Sequence, residues 1–141
     1  MTISIAIASG KGGVGKTSIA VNLSLTLSRL GSRVVLFDAD FGLANSHILL
    51  GVNPTKTAQD ILVSKTPVQE VLAPGPLGLK FLSGGSGLTE LLNLEVKARY
   101  ELIRTQKLSY LILVSTGIGV IATIIASHLF LGDQITIHKM L

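Results

Sequence analysis

The stretch "ISIAIASGKGGVGKTS", residues 3–18, decides the fold, because an apolar run passes directly into a glycine-rich segment. The run at residues 3–8 consists of isoleucines, alanines and one serine, a composition typical of a buried strand of a parallel sheet. The glycines that follow predict a loop, since glycine readily adopts backbone conformations that other residues avoid. The stretch therefore predicts a buried strand that ends in a glycine loop.

The residues after the loop predict a helix and then a second strand. Apolar side chains recur at helical spacing and a glycine follows as a stop signal; these residues are Ile19, Leu23, Leu27, Leu30 and Gly31. The segment "RVVLFDAD", residues 33–40, predicts a strand that ends in two aspartates. The order strand, loop, helix, strand predicts an α/β fold with a mainly parallel twisted sheet and helices on both faces.

Shorter elements of the same kinds are predicted along the rest of the chain. Helices are expected over 42–51, 57–63, 67–73, 88–107 and 120–131, strands over 79–82, 110–114 and 134–138, a loop over 73–78 and a turn over 115–119. The 141 residues suffice for one domain with its own core. We therefore expect a single domain over residues 1–141.

The composition narrows the class of protein. Hydrophobic residues make up 48% of the chain and charged residues 14%, which excludes a disordered chain. Cysteine is absent, so disulfides and cysteine-bound metals are excluded, and a reducing cytoplasm is the expected location. The formal net charge is +4, without a basic block, and aromatic residues are few. These features argue against a nucleic-acid partner.

The glycine loop satisfies the pattern G-x-x-x-x-G-K-[ST] from Gly10 to Thr17. Backbone N–H groups in such a loop, with the amino end of the following helix, can wrap a polyphosphate. Lys16 is expected to reach the β- and γ-phosphates, and the hydroxyl of Thr17 to bind Mg²⁺. The predicted cofactor-binding residues are Gly10, Lys11, Gly12, Gly13, Val14, Gly15, Lys16, Thr17 and Ser18.

The loop also contains a second lysine, Lys11, and the segment "KGGVGKT", residues 11–17, resembles the deviant P-loop of the ParA/MinD family of P-loop ATPases. The resemblance implies that Lys11 reaches across a dimer interface to the nucleotide of the partner subunit. A second cation there offsets phosphate charge and stabilises charge that develops during phosphoryl transfer. The implied cofactors are ATP and Mg²⁺, the implied partner is a second copy in an ATP-dependent homodimer, and the implied reaction is ATP hydrolysis where the site is complete.

The resemblance continues in "VVLFDADFGLANSHILLGVNP", residues 34–54, which is similar to the second strand and first switch of that family. It implies that Asp38 orients water in the magnesium shell and that Asp40 positions the attacking water, with Asn45 in the same switch. The implied metal-binding residues are Thr17 and Asp38, and the implied catalytic residues are Lys11, Lys16 and Asp40.

A third segment, "LAPGPLGLKFLSGGSGLTELLNL" at residues 72–94, is similar to the MinD-like ATPases that control flagellar number and placement, the FlhG/FleN/YlxH subgroup. This similarity implies an ATP-dependent switch in flagellar or cell-pole placement. A flagellar-placement GTPase or another polar protein is the implied partner.

The chain departs from the family pattern in three places. Where the family has an aspartate at the end of a later strand, the segment "LILVSTGIGV", residues 111–120, has Ser115. A serine can hydrogen-bond a magnesium water but supplies no charge. The fold is also expected to be incomplete at the C-terminus, without a membrane-targeting helix, and to lack the N-terminal extension of the flagellar subgroup.

Other interpretations follow from these departures. One is a truncated remnant that binds nucleotide or a partner without hydrolysis. Another is a small membrane protein with a single span over residues 109–131, because residues 109–132 contain no Asp, Glu, Lys or Arg. A DNA-partition role is a further alternative within the ATPase class. The ATPase interpretations imply a cytoplasmic protein, for which peripheral contact with a membrane is also possible. The single-span interpretation implies a membrane protein.

Overall fold

The computed structural model describes residues 2–39, 45–84, 101, 105–106, 109–116 and 135–139. The strands are β1 (Ile3–Ser9), β2 (Val34–Asp38), β3 (Ala73–Pro74), β4 (Lys80–Ser83), β5 (Tyr110–Thr116) and β6 (Ile135–Lys139). The helices are α1 (Lys16–Arg29), α2 (Ser46–Leu50), α3 (Ala58–Leu62) and α4 (Val68–Val71), with a 3-10 turn at Pro76–Gly78.

The strands form one sheet in the order β3–β4–β2–β5–β1–β6. All neighbouring strands are parallel except β3 and β4, which are antiparallel. The central strand β5 lies between β1 and β2, with Ile112 opposite both Ile5 and Leu36. Because parallel strands end at the same edge of a sheet, the carboxyl ends of these three strands lie side by side. The predicted mainly parallel α/β sheet is confirmed.

Side chains of β2 enter two cores, one on each face of the sheet. Val35 and Phe37 belong to the core that contains residues of α3 and α4. Val34 and Leu36 belong to the core that contains residues of α1 and α2. All five residues of β2 are buried, as expected for a strand covered by helices on both faces. The sheet therefore carries helices on both faces, as the sequence predicts.

The helix predicted after the loop is present as α1, but its most buried face is not the one that carries the apolar spacing. The buried residues of α1 are Lys16, Ala20, Val21, Ser24 and Ser28. By contrast, Ile19 is 42% exposed and Leu30 is 75% exposed. Small side chains allow a helix to approach a sheet closely, because interiors are packed without voids. Leu23 and Leu27, which belong to the apolar spacing, are half-buried and pack against the same core. The apolar spacing thus predicts the helix correctly, and the most buried positions lie beside it.

The loop prediction over 73–78 is wrong, because this segment contains short regular structure. Ala73 pairs with Phe81 across β3 and β4, and the N–H of Gly75 donates to the carbonyl of Leu79 at 2.8 Å. Leu77, in the 3-10 turn, has a φ of 57°, a left-handed conformation that is uncommon for leucine. Main-chain pairing of this kind needs no apolar periodicity, so the sequence pattern does not reveal it.

The segment proposed above as a membrane span begins as a strand of the sheet. Residues 110–116 form β5, so the interpretation of 109–131 as one helix is wrong for these residues. The strand also includes Ser115 and Thr116, which were predicted to belong to a turn. In the parts of the chain that the structure describes, no helix is both long enough and apolar enough to cross a bilayer.

Two predicted helices fall wholly or largely outside the described residues. The helix over 120–131 lies outside them altogether, as does most of the helix over 88–107. Within the latter, Glu101, Thr105 and Gln106 are helical, in agreement with the prediction at those positions.

The hydroxyl of Ser4 in β1 is buried without a hydrogen-bond partner among the described residues, and the residue is only 5% exposed. A buried polar group without a partner costs about 1–3 kcal/mol. We therefore expect Ser4→Ala to raise the free energy of unfolding by about 1 kcal/mol, as measured by urea denaturation. The exposed Ser64 provides the control, and Ser64→Ala should change stability by less than about 0.5 kcal/mol. A loss of stability in Ser4→Ala would contradict the prediction.

Candidate functional site

The glycine loop connects the carboxyl end of β1 to the amino end of α1. β1 ends at Ser9 and α1 begins at Lys16. Gly13 and Gly15 have φ values of 73° and 89°, in the left-handed region that only glycine enters at little cost. The sequence therefore places glycine at the two loop positions where the chain must turn in this way.

The two lysines of the loop have different environments. Lys16 is 6% exposed, and its Nζ donates to the carbonyl oxygen of Lys11 at 3.3 Å. Lys11 is exposed, and its backbone N–H donates to Oγ of Ser9 at 3.1 Å. One ammonium group thus lies within the loop, whereas the side chain of Lys11 is accessible to another molecule.

The loop has the donors and the space that a phosphate group requires. No atom of the described residues, chain neighbours aside, lies within 4 Å of where a Cβ would stand at Gly10, Gly12, Gly13 or Gly15. The N–H of Ile19 makes the first helical bond, to the carbonyl of Gly15 at 3.0 Å. The N–H groups that precede Ile19 in α1 therefore have no intrahelical acceptor. Free N–H groups, the positive end of the helix dipole and a nearby ammonium group fit a polyphosphate.

Among the remaining loop residues predicted to bind the cofactor, Val14 and Thr17 are half-buried and Ser18 is exposed. Thr17 lies in the first turn of α1, beside Lys16. A hydroxyl at this position suits a hard cation that is held jointly with phosphate oxygens. Within the described ranges, no group of three or more histidine, aspartate or glutamate side chains could hold a metal ion alone. The donor set therefore fits Mg²⁺ bound together with a nucleotide.

Asp38 ends β2 at the same edge of the sheet and is 1% exposed. Its side-chain Oδ2 accepts a hydrogen bond from the backbone N–H of Ser46 at 3.1 Å. Its backbone carbonyl accepts one from the backbone N–H of Gly84 at 2.8 Å. The carboxylate thus connects the end of β2 to the first residue of α2. Sequence reasoning did not identify Ser46, and the only signal for it is the short apolar helix that begins there.

Ser115 stands at the carboxyl end of β5, where its backbone is in register with Ala8 of β1. The next pair along, Ser9 with Thr116, lies where the glycine loop begins. The position aligned with the family's aspartate is therefore at the edge of the sheet that carries the loop. Asn45 is exposed and precedes α2. Asp40 lies outside the described residues, so its predicted role stays a prediction.

A parallel sheet whose first strand leads through a glycine loop to a helix defines the class of α/β nucleotide-binding domains. The chain belongs to the CobQ/CobB/MinD/ParA nucleotide binding domain family, whose sequence model matches residues 5–135. The predicted ParA/MinD membership is thereby confirmed.

Two curated proteins, an antiactivator and a flagellum site-determining protein, are similar to this chain in sequence. The chain is 46% identical over 90 residues to the antiactivator FleN of Pseudomonas aeruginosa, covering 64% of this chain and 32% of FleN. It is 37% identical over 131 residues to the flagellum site-determining protein YlxH of Helicobacter pylori, covering 84% of this chain and 42% of YlxH. The chain thus spans less than half the length of either relative.

A solved structure shares the fold. The septum site-determining protein MinD of Pyrococcus horikoshii, complexed with Mg-ADP, superposes with a TM-score of 0.71 at 25% identity. The superposition covers 89% of this chain and 55% of MinD. The similarity supports the assignment of the sheet and its helices to the MinD fold.

Proposed function

We propose that this chain binds ATP and Mg²⁺ at the glycine loop and acts as a nucleotide-dependent switch of the MinD type. The observation that carries the proposal is the loop itself. It places a buried ammonium group, free helix N–H groups and open space at the carboxyl edge of a parallel sheet. Family membership and a relative solved with Mg-ADP support it.

Each residue of the site has a defined part in this proposal. The N–H groups of residues 12–17 hold the phosphates, and Lys16 exchanges its bond to the Lys11 carbonyl for phosphate oxygens. Thr17 and, through water, Asp38 hold Mg²⁺, which neutralises phosphate charge when bound. Asp40 positions the attacking water in this scheme.

Dimerisation is part of the same proposal, and the exposed side chain of Lys11 is its physical basis. An accessible cation five residues from Lys16 can contact the nucleotide of a second copy and offset its charge. ATP then favours the dimer and ADP the monomer, which gives the switch its two states.

The similarity to FleN and YlxH supports a role in flagellar or cell-pole placement. The partner in that role is a flagellar-placement GTPase or another polar protein, and the switch acts in the cytoplasm. In this proposal residues 1–141 form a single domain, partial relative to the family, that contributes the nucleotide site.

A second candidate function, nucleotide binding without hydrolysis, is favoured by Ser115. This residue stands at the loop edge of the sheet, where the family resemblance implies a carboxylate. A serine there leaves the magnesium shell without one negative charge. Binding is then retained while phosphate release is slow.

We expect Ser115→Asp to raise the rate of phosphate release about 10- to 100-fold, the usual effect of a partner in the outer shell of a metal. Phosphate release at saturating Mg-ATP is measured beside a titration with a fluorescent ATP analogue. Ser115→Asn, which resembles aspartate in shape without its charge, is the matched control and should show no increase.

The two measurements separate the candidate functions. Saturable binding with release that rises only in Ser115→Asp supports an ATPase limited by the missing carboxylate. Saturable binding with no release in any variant supports the binding-only function. Absence of binding in the unmodified chain at millimolar Mg-ATP would contradict both.

A further inference from the structure

A cavity lies at the opposite edge of the sheet from the glycine loop. Its volume is about 260 Å³, and its lining includes Ser28, Arg33, Val34, Leu77, Lys80 and Gln106. Val34 and Lys80 are the first residues of β2 and β4, so the cavity stands at the amino ends of the strands. The volume is slightly below the range of sites for drug-sized ligands, which indicates a small ligand.

The described residues that line this cavity carry positive charge and include no carboxylate. Arg33 and Lys80 are exposed cations, and no aspartate or glutamate is among the lining residues. The Nζ of Lys80 donates to Oε1 of Gln106 at 3.0 Å, so a neutral amide holds the ammonium group beside the cavity. Within the described residues, the one ion pair joins Lys56 to Glu70, so the Arg33 guanidinium, which has five N–H donors, is not paired with a carboxylate there.

A buried hydroxyl group provides an independent observation. Ser28 is 7% exposed, and its Oγ has no partner among the described residues. One turn earlier in α1, Oγ of Ser24 donates to the carbonyl of Ala20 at 2.7 Å. Ser28 could make the equivalent bond to the carbonyl of Ser24, but this bond is not present in the structure. Ser28 lines the cavity, and its buried hydroxyl gains an acceptor when an anion enters and the side chain turns toward it.

Part of the remaining wall is apolar and strained. Leu77 is 58% exposed and is held in a left-handed conformation, and such outliers often mark ligand-binding segments. The exposed Leu77 side chain offers an apolar surface beside the charged groups. The wall can contact a short organic group attached to an anion.

We propose that this cavity binds a phosphate-type oxyanion, either free or as the ester of a small organic molecule. The guanidinium of Arg33 supplies paired donors that match a phosphate, Lys80 adds a second charge, and the Ser28 hydroxyl donates a hydrogen bond. The site is separate from the glycine loop, so the inference does not depend on the proposed function.

The test is a titration of the nitrogen-15-labelled full chain with inorganic phosphate and, separately, with glycerol 3-phosphate, at low salt and with Mg-ADP present throughout. The backbone amides of Gly31, Ser32 and Gly78, which also line the cavity, report on binding there. We expect their chemical shifts to change and saturate at millimolar ligand. Tighter binding of the ester assigns an organic phosphate, and equal binding assigns the free anion.

The variants are chosen to distinguish binding in the cavity from non-specific attraction of the anion to the positively charged surface. Arg33→Gln should weaken binding about 10- to 100-fold, as expected for the loss of a charge-assisted hydrogen bond. Arg29→Gln removes the same charge from the exposed end of α1 but lies outside the cavity lining, and should change the affinity less than twofold. Ser28→Ala should weaken binding while it raises the melting temperature of the free chain, because the unpartnered hydroxyl is removed.

Three results would overturn the inference. The first is shifts at Gly31, Ser32 and Gly78 that grow linearly without saturation. The second is changes confined to residues 10–17, which would place the anion in the glycine loop. The third is an equal loss of affinity in Arg29→Gln and Arg33→Gln, which would indicate diffuse attraction to the positive surface.

Discussion

Lys16→Met is expected to weaken ATP binding about 10- to 100-fold, because a charge-assisted hydrogen bond contributes about 1.5–3 kcal/mol. The ammonium group of Lys16 lies within the glycine loop, 3.3 Å from the carbonyl oxygen of Lys11. Methionine retains the apolar stem of this buried side chain and forms helices well, so the change removes mainly the charge. The affinity is measured by titration with a fluorescent ATP analogue in the presence of Mg²⁺.

Lys11→Met is the matched control, since it removes the same charge from the same loop. The side chain of Lys11 is exposed, and its carbonyl, which accepts the bond from Lys16, is unchanged. We expect this variant to bind ATP within about threefold of the unmodified chain but to lose ATP-dependent dimerisation in sedimentation velocity. Equal losses of affinity in the two variants would show that the lysines do not divide their roles in this way.

Phe37→Ala is expected to lower the free energy of unfolding by about 3–5 kcal/mol, the usual cost of a phenylalanine removed from a packed core. Phe37 is 0% exposed, and its neighbours on β4 and β5 are Leu82 and Leu113. All three residues belong to the core shared with α3 and α4. A loss of this size is a large fraction of the stability of a small domain. Urea denaturation with linear extrapolation gives the value.

Two further variants keep this prediction testable if Phe37→Ala fails to fold. Phe37→Leu retains most of the apolar volume and should cost about 1–1.5 kcal/mol. Leu30→Ala removes a side chain that is 75% exposed and should change stability by less than about 0.5 kcal/mol. Similar effects of Phe37→Leu and Leu30→Ala would argue that the face of β2 that carries Phe37 is not covered by α3 and α4.

The order of strands and helices around the glycine loop could be predicted from sequence because each element carries a strong local signal. The apolar run before Gly10, the helical spacing after Lys16 and the run before Asp38 all correspond to elements of the structure. Asp38 could be placed at a strand end for the same reason, whereas Ser115, which the pattern assigns to a turn, lies within β5. Parallel strands buried on both faces read as continuous apolar runs, and that pattern is hard to mistake.

Features that depend on packing between distant segments could not be predicted. The buried face of α1 consists partly of Ala20, Ser24 and Ser28, since close approach to the sheet favours small side chains over leucine. The bond from Ser46 to Asp38 joins groups that only the folded chain brings together. The cavity beside Arg33 likewise combines residues from separate segments of the chain, which only the folded chain brings together.

The strand order has a consequence for folding of the chain during its synthesis on the ribosome. β1 is synthesised first, yet its neighbours are β5 and β6, and Ile3 pairs with Tyr110. At about 5–20 residues per second, synthesis leaves this strand without partners for at least about 5 s. Its isoleucines are meanwhile uncovered in the nascent chain, where chaperones recognise apolar segments. We therefore expect the glycine loop, which follows β1 directly, to take its final conformation only after β5 has been synthesised.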